Sequence, residues 1–179
     1  MSTIYLIRHC ETTGQAPEAP LTPRGEEQAQ RLCTQLFDLP IPHLISSPYR
    51  RALDSIQPLA TALKLPVAQE EDLKERRLSA VPLDDWQDHL RLTFIDPDYT
   101  CPGGESSRIA TKRITRVVEK ALQQHDGAIL VTHGNLLSLY LHSIDSTFGF
   151  EESLQLKNPD IFKVTRVQQQ TIIKHLEAF

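Results

Sequence analysis

A chain of 179 residues, 40% hydrophobic and 23% charged, is long enough to bury one core and polar enough to be an ordinary globular domain. Its formal net charge of −4 excludes a general affinity for nucleic acid, so any anion site has to be built locally. No apolar stretch is long enough to span a membrane and no basic leader precedes the first strand signal. The three cysteines, Cys10, Cys33 and Cys101, are too few and scattered for a disulfide framework, so the expected compartment is the cytoplasm.

The first element is a short apolar run, Ile4–Ile7, which reads as a strand buried on both faces. It ends in Arg8-His9-Cys10-Glu11-Thr12. Thr22 is placed to cap a helix with Pro23 at its first position, and Ala29, Leu32, Cys33 and Leu36 share one apolar face. His43–Ile45 reads as a second strand. Leu53, Ile56, Ala60 and Leu63 mark a second helix, where Pro58 predicts a kink or a late start. Asp84–Ile95, with Trp86, Leu90 and Phe94, is a further helical pattern. Ser106 opens the clearest helix, with Ile109, Ile114, Val117, Val118, Ala121 and Leu122 on the expected buried face. Ala128–Val131 is the third strand signal and Leu136–Ile144 a helix after it. Ile161–Val167 and Thr171–Leu176 are rich in β-branched residues and read as a hairpin at a sheet edge. Strands alternating with helices, without repeat or linker, predict one α/β domain over 1–179: a three-layer α/β/α sandwich on a mostly parallel sheet.

In such a sheet, His9 and His133 both emerge at the carboxyl ends of strands, where open α/β folds bind ligands. Two imidazoles and an arginine at one edge suit chemistry on a phosphate. Neutral imidazole is a nucleophile near neutral pH, and the Arg8 guanidinium matches phosphate oxygens. The turn Glu11-Thr12-Thr13-Gly14 offers hydroxyls and backbone N–H groups to an anion, and Gly134 precedes a helix N-terminus. Ser46-Ser47-Pro48-Tyr49-Arg50-Arg51 follows the second strand, and either arginine can reach back to the edge. Two arginines there oppose the helix dipole, which points to use. Glu75, within Asp72-Leu73-Lys74-Glu75-Arg76-Arg77, reads by itself as one more solvated charge. The spacings support no metal site, a cysteine nucleophile at Cys10 lacks its downstream arginine, and a Walker-type glycine loop is absent.

Taken in order, these motifs resemble the histidine phosphatase superfamily, in its phosphoglycerate mutase-like branch. Leu6-Ile7-Arg8-His9-Cys10-Glu11-Thr12 matches strand-Arg-His-Gly-Glu-Thr, and Leu21-Thr22-Pro23-Arg24-Gly25-Glu26-Glu27-Gln28-Ala29 matches Leu-Thr-x-x-Gly-x-x-Gln-Ala. Ser46 to Ala52 matches Ser-Ser-x-x-x-Arg-Ala, which selects Arg51 over Arg50. Leu73-Lys74-Glu75, Gly103-Gly104-Glu105-Ser106 and Thr132-His133-Gly134 complete the series. The resemblance implies that His9 attacks phosphorus to form a phosphohistidine. It implies that Arg8, Arg51 and His133 hold the phosphoryl oxygens, and that Glu75 moves the proton of the leaving group and of water. Thr12, Gln15, Asn135 and Glu105 join the phosphate contacts by the same carry-over. It implies no metal and no cofactor, and a small phosphorylated substrate; from charge and hydropathy, neither nucleic acid nor membrane is an expected partner.

The departures set the alternatives. Cys10 stands where the family has glycine, and Gln15 where it has asparagine. The Arg-x-Gln-Gly segment is missing from Ala16–Pro20, which favours a phosphatase over a mutase, whereas Asn135 matches the mutase pattern His-Gly-Asn. No Gly-x-Trp-Glu-Gly follows Glu75, and residues 78–102 form an insert expected to cover the site. The expected activity is hydrolysis of a small phosphomonoester, with phosphoglycerate mutase and a non-catalytic phosphate-binding module as the rivals.

Overall fold

A computed structural model describes residues 1–179. Its strands are β1 (Ser2–Arg8), β2 (Leu44–Ser46), β3 (Val67–Gln69), β4 (Ile129–Thr132), β5 (Asp160–Val167) and β6 (Gln170–Leu176). Its helices are α1 (Pro23–Leu36), α2 (Arg50–Leu63), α3 (Trp86–Ile95), α4 (Ser107–Gln124), α5 (Gly134–Ile144) and α6 (Phe150–Leu154). The sheet order is β3-β2-β4-β1-β5-β6. The first four strands are parallel; β5 and β6 run antiparallel and form the expected edge hairpin. Because side chains alternate along a strand, β1 feeds two cores. Ile4 and Leu6 pack with Ile114, Val118, Leu137 and Tyr140 of α4 and α5. Tyr5 and Ile7 pack with Leu32, Leu36, Ile56 and Leu59 of α1 and α2. These are the three layers.

Local chemistry explains the helix starts. The Thr22 hydroxyl accepts from the Gly25 N–H at 2.9 Å, with Pro23 at the first position, where no N–H is needed. Gly25 is required by close approach: a Cβ there would lie 2.0 Å from the Glu11 carbonyl oxygen, so α1 enters directly against the turn after β1. Ser106 caps α4 through the Ile109 N–H.

Three expectations change. Ile109 is 60% exposed, because the buried stripe of α4 runs through Ala110, Ile114, Val117 and Ala121, and Ile109 sits one residue off it. α2 starts at Arg50, earlier than expected, and continues through Pro58. Burial of Ile56, Leu59 and Ala60 holds that turn, and Pro58 lies on a half-buried side, away from the core stripe. The helix expected over Asp84–Ile95 begins at Trp86. β3 and α6, at three and five residues, are too short to carry a periodic signal.

Candidate active site

The four parallel strands deliver their carboxyl ends to one edge. Arg8 pairs with Thr132 in register, and the His9 N–H bonds the Thr132 carbonyl at 3.0 Å, so the residues after β1 and β4 meet. The Ser47 N–H bonds the Val131 carbonyl at 2.9 Å, which brings the start of α2 alongside. The His9 and His133 rings stand edge to face with centroids 5.1 Å apart.

His9 is 5% exposed and its Nδ1 lies 2.7 Å from the Cys10 carbonyl oxygen. A carbonyl only accepts, so Nδ1 carries the proton and Nε2 keeps its lone pair. That lone pair accepts from Arg51 Nε at 3.2 Å. Arg51, 1% exposed, also donates through Nη1 to the Gln15 and Ala16 carbonyls at 3.2 and 3.0 Å, and lies over the Tyr49 ring. Arg50 points outward to Asp54, so of the two arginines only Arg51 enters the cluster. His133 is fully buried; its Nε2 bonds the Ser47 hydroxyl at 2.8 Å and its Nδ1 has no partner. Arg8 donates from Nη1 to the Leu156 carbonyl, and its Nε is buried without a partner.

Burial pushes His9 down to about 3; the Arg51 and Arg8 charges add to this against the opposing bond from the Cys10 carbonyl. His133 is held well below the ordinary histidine value by burial, then by its cationic surroundings. Both rings are therefore neutral at pH 7. From 6.5, the ordinary value, down to about 3, the unfolded chain binds protons that folded His9 refuses. Stability therefore rises with pH across that window and is lost on acidification. The thermal midpoint is expected to fall between pH 7 and pH 4.5, and to fall less in His9→Asn; midpoints of the two proteins across that range test it.

Glu75 follows β3 and a single 3₁₀ turn. Its Oε1 accepts from the Arg76 and Leu136 N–H groups at 2.8 and 2.9 Å, and its Oε2 from the Asn135 N–H at 3.1 Å. His133, the N-cap residue of α5, makes no side-chain cap bond, so Glu75 caps that helix from a distance. A cavity of about 490 Å³ opens here, lined by Arg8, Gln15, Glu75, Gly134 and Asn135, together with Arg76, Ser138, Ser153, Leu78, Trp86, Leu90 and Leu154.

Of the residues named from sequence, Arg8, His9, Arg51 and His133 gather at the strand ends, while Glu75, Gln15 and Asn135 share the cavity with Arg8. Thr12 and Glu105 do not line it. The Thr12 hydroxyl donates to the Pro20 carbonyl at 2.9 Å, and the Glu105 carboxylate holds Arg113 through two bonds at 2.7 and 2.9 Å. The Cys10 side chain turns into the core with Ile7, Ala52 and Ile56, its thiol pushed up to about 11 by burial. It neither narrows the cavity nor forms a thiolate at pH 7.

Sequence reasoning missed Arg76, Ser47, Tyr49 and Asn158. Arg76, 4% exposed, donates to the Glu105 carbonyl and the Thr93 hydroxyl at 2.8 and 3.2 Å and lies 3.4 Å from Asn135 Oδ1. Asn158 Nδ2 donates to the His9 carbonyl at 2.7 Å from 149 residues away, a contact with no local signal. Ser47 did have one: a hydroxyl between a strand end and a helix start.

The probable phosphoglycerate mutase GpmB of Proteus mirabilis (strain HI4320) is 29% identical over 183 residues, covering 92% of this chain and 85% of the relative. The fold is shared with the mycobacterial glucosyl-3-phosphoglycerate phosphatase in complex with inorganic phosphate (TM-score 0.78, 20% identity, 97% of this chain and 96% of that one). It is shared also with the phosphoserine phosphatase of Entamoeba histolytica in complex with 3-phosphoglyceric acid (TM-score 0.76, 20% identity, 99% and 98%). The alpha-ribazole phosphatase of Shigella flexneri follows (TM-score 0.73, 24% identity, 97% and 95%). A family model for the histidine phosphatase superfamily (branch 1) matches residues 4–178, and the chain belongs to that family.

Proposed function

We propose that the protein is a metal-independent phosphomonoester hydrolase that works through a phosphohistidine at His9. The observation that carries this reading is the His9 tautomer: the Cys10 carbonyl takes the Nδ1 proton, which leaves the Nε2 lone pair directed at Arg51. An anion that draws Arg51 onto its own oxygens frees that lone pair for phosphorus. Nε2 attacks in line, the bond from phosphorus to the alcohol oxygen breaks, and Glu75 gives that oxygen its proton. Arg8, Arg51 and His133 take up the charge that spreads over the phosphoryl oxygens. Glu75 then removes a proton from water, the water attacks, and inorganic phosphate leaves with His9 restored. Residues 78–102 cover the cavity, to which they contribute Leu78, Trp86 and Leu90.

The named relatives and Asn135 favour one second reading, a phosphoglycerate mutase. Rapid quenching with phosphorus-labelled substrate separates the readings. Acid-labile label on His9, with phosphate released at the same rate in chelator and no isomer formed, supports the hydrolase. Isomerisation that needs a bisphosphorylated primer supports the mutase, and absence of label on His9 sinks both.

A further inference from the structure

The two walls of the cavity differ. On α5, Gly134, Asn135 and Ser138 face it, with the Ser138 hydroxyl and Asn135 Oδ1 already engaged. The Ser138 hydroxyl donates to the Gly134 carbonyl at 2.7 Å, and Asn135 Oδ1 faces Arg76. The Ser153 hydroxyl is likewise turned to the Phe150 carbonyl. Arg76 lies within the wall, its Nε and Nη1 bonded to neighbours and its Nη2 without a partner, as is Arg8 Nε. Away from these two guanidinium groups, the wall formed by α3 and α6 is apolar. Trp86 and Leu90 stand four residues apart on one face of α3, with Leu78 and Leu154 beside the same space. Trp86 is 45% exposed and Leu154 40%, which is costly for large apolar side chains that nothing covers. Trp86 is also held in place. Asp85 before it meets His89 Nε2 at 3.3 Å, and His89 Nδ1 meets the Tyr99 hydroxyl, so both ends of α3 are clasped. The cavity, at about 490 Å³, falls within the range that holds a ring-sized ligand.

We infer that the leaving alcohol carries an apolar, ring-sized group that stacks on Trp86 between Leu78, Leu90 and Leu154, and that Trp86 sets specificity for it. This rests on the cavity beside Arg8 and Glu75 being the substrate site.

Binding of phosphonates to the full chain tests this without turnover. Calorimetry would compare 2-phenylethyl-, 2-hydroxyethyl- and 2-carboxyethylphosphonate. The phenylethyl compound is expected to bind at least about tenfold tighter than the other two. It should also change the emission of Trp86, the only tryptophan in the chain. The preference should shrink toward unity in Trp86→Ala and persist in Trp86→Phe. Equal affinities, tighter binding of the carboxyethyl compound, or an equal loss on all three ligands in Trp86→Ala overturns the inference and leaves the hydrolase reading standing. Failure of all three to bind overturns both.

Discussion

Hydrolysis of an aryl phosphate by His9→Ala is expected to fall by a factor on the order of 10⁴ or more, because a nucleophile has no partial substitute. The loss should lie in kcat. Arg8, Arg51 and His133 remain, so the variant should still bind inorganic phosphate, seen as a rise in thermal midpoint with added phosphate. That second readout separates lost chemistry from lost structure. The variant also sheds a ring that burial forbids to protonate, so its fold should tolerate mild acid at least as well as the wild type. Wild-type rates in His9→Ala would remove the phosphohistidine from the mechanism.

The neutral state of His9 is as important as its position. A histidine beside two arginines is easily pictured as a third cation, and a cation is no nucleophile. Burial excludes that state at pH 7, and the bond to the Cys10 carbonyl then decides which nitrogen is free. The same backbone carbonyl is present whichever residue stands at position 10. Cys10 in place of glycine therefore leaves the His9 hydrogen bond alone and alters only the packing behind β1, where the thiol joins the core that holds Ile7, Ala52 and Ile56. The substitution that most suggested a disabled enzyme is, in space, a core contact.

What the chain reveals by itself follows from the range of each interaction. Both histidines were legible because each ends a run of apolar residues long enough to read as a buried strand, and strand ends in a parallel sheet share an edge. Strand order was not legible. β4 lies between β1 and β2 although 121 residues separate Arg8 from Ile129, and nothing local records that pairing. Glu75 shows the limit most plainly. Its own neighbours, Lys74, Arg76 and Arg77, describe a solvated charge run; only the family resemblance singled it out. Its partners are N–H groups of Asn135 and Leu136, some sixty residues on. Arg76 was hidden by the same run. Its side chain is buried against Thr93 and Glu105, supplied by α3 and by the loop before α4. Conversely, Glu105 and Thr12 fit the family's phosphate contacts by position, yet their polar groups are spent on Arg113 and Pro20.

Glu75 carries the second large effect, and two substitutions should divide its roles. In the unliganded protein its two oxygens accept three N–H bonds and serve as the missing cap of α5. Three N–H bonds fill three of the carboxyl's four lone-pair sites, so Oε2, which accepts only one, keeps a site for the proton while the cap stays in place. Glu75→Gln keeps an acceptor oxygen but cannot donate as an acid. It is expected to lower kcat by about 10²–10³-fold on alkyl phosphates, with a much smaller loss in the first-turnover release of 4-nitrophenol from 4-nitrophenyl phosphate, whose leaving group needs no proton. Glu75→Ala loses the acid and the cap together. The same kinetic loss should then come with a destabilisation of about 0.5–2 kcal/mol, read from denaturant midpoints at unchanged slope. If the first turnover slows equally on alkyl and nitrophenyl esters, the carboxylate positions α5 and His133 instead of giving the leaving group its proton. If neither loses activity, Glu75 is not the acid, and because no other carboxylate lines the cavity the proton comes from outside its wall.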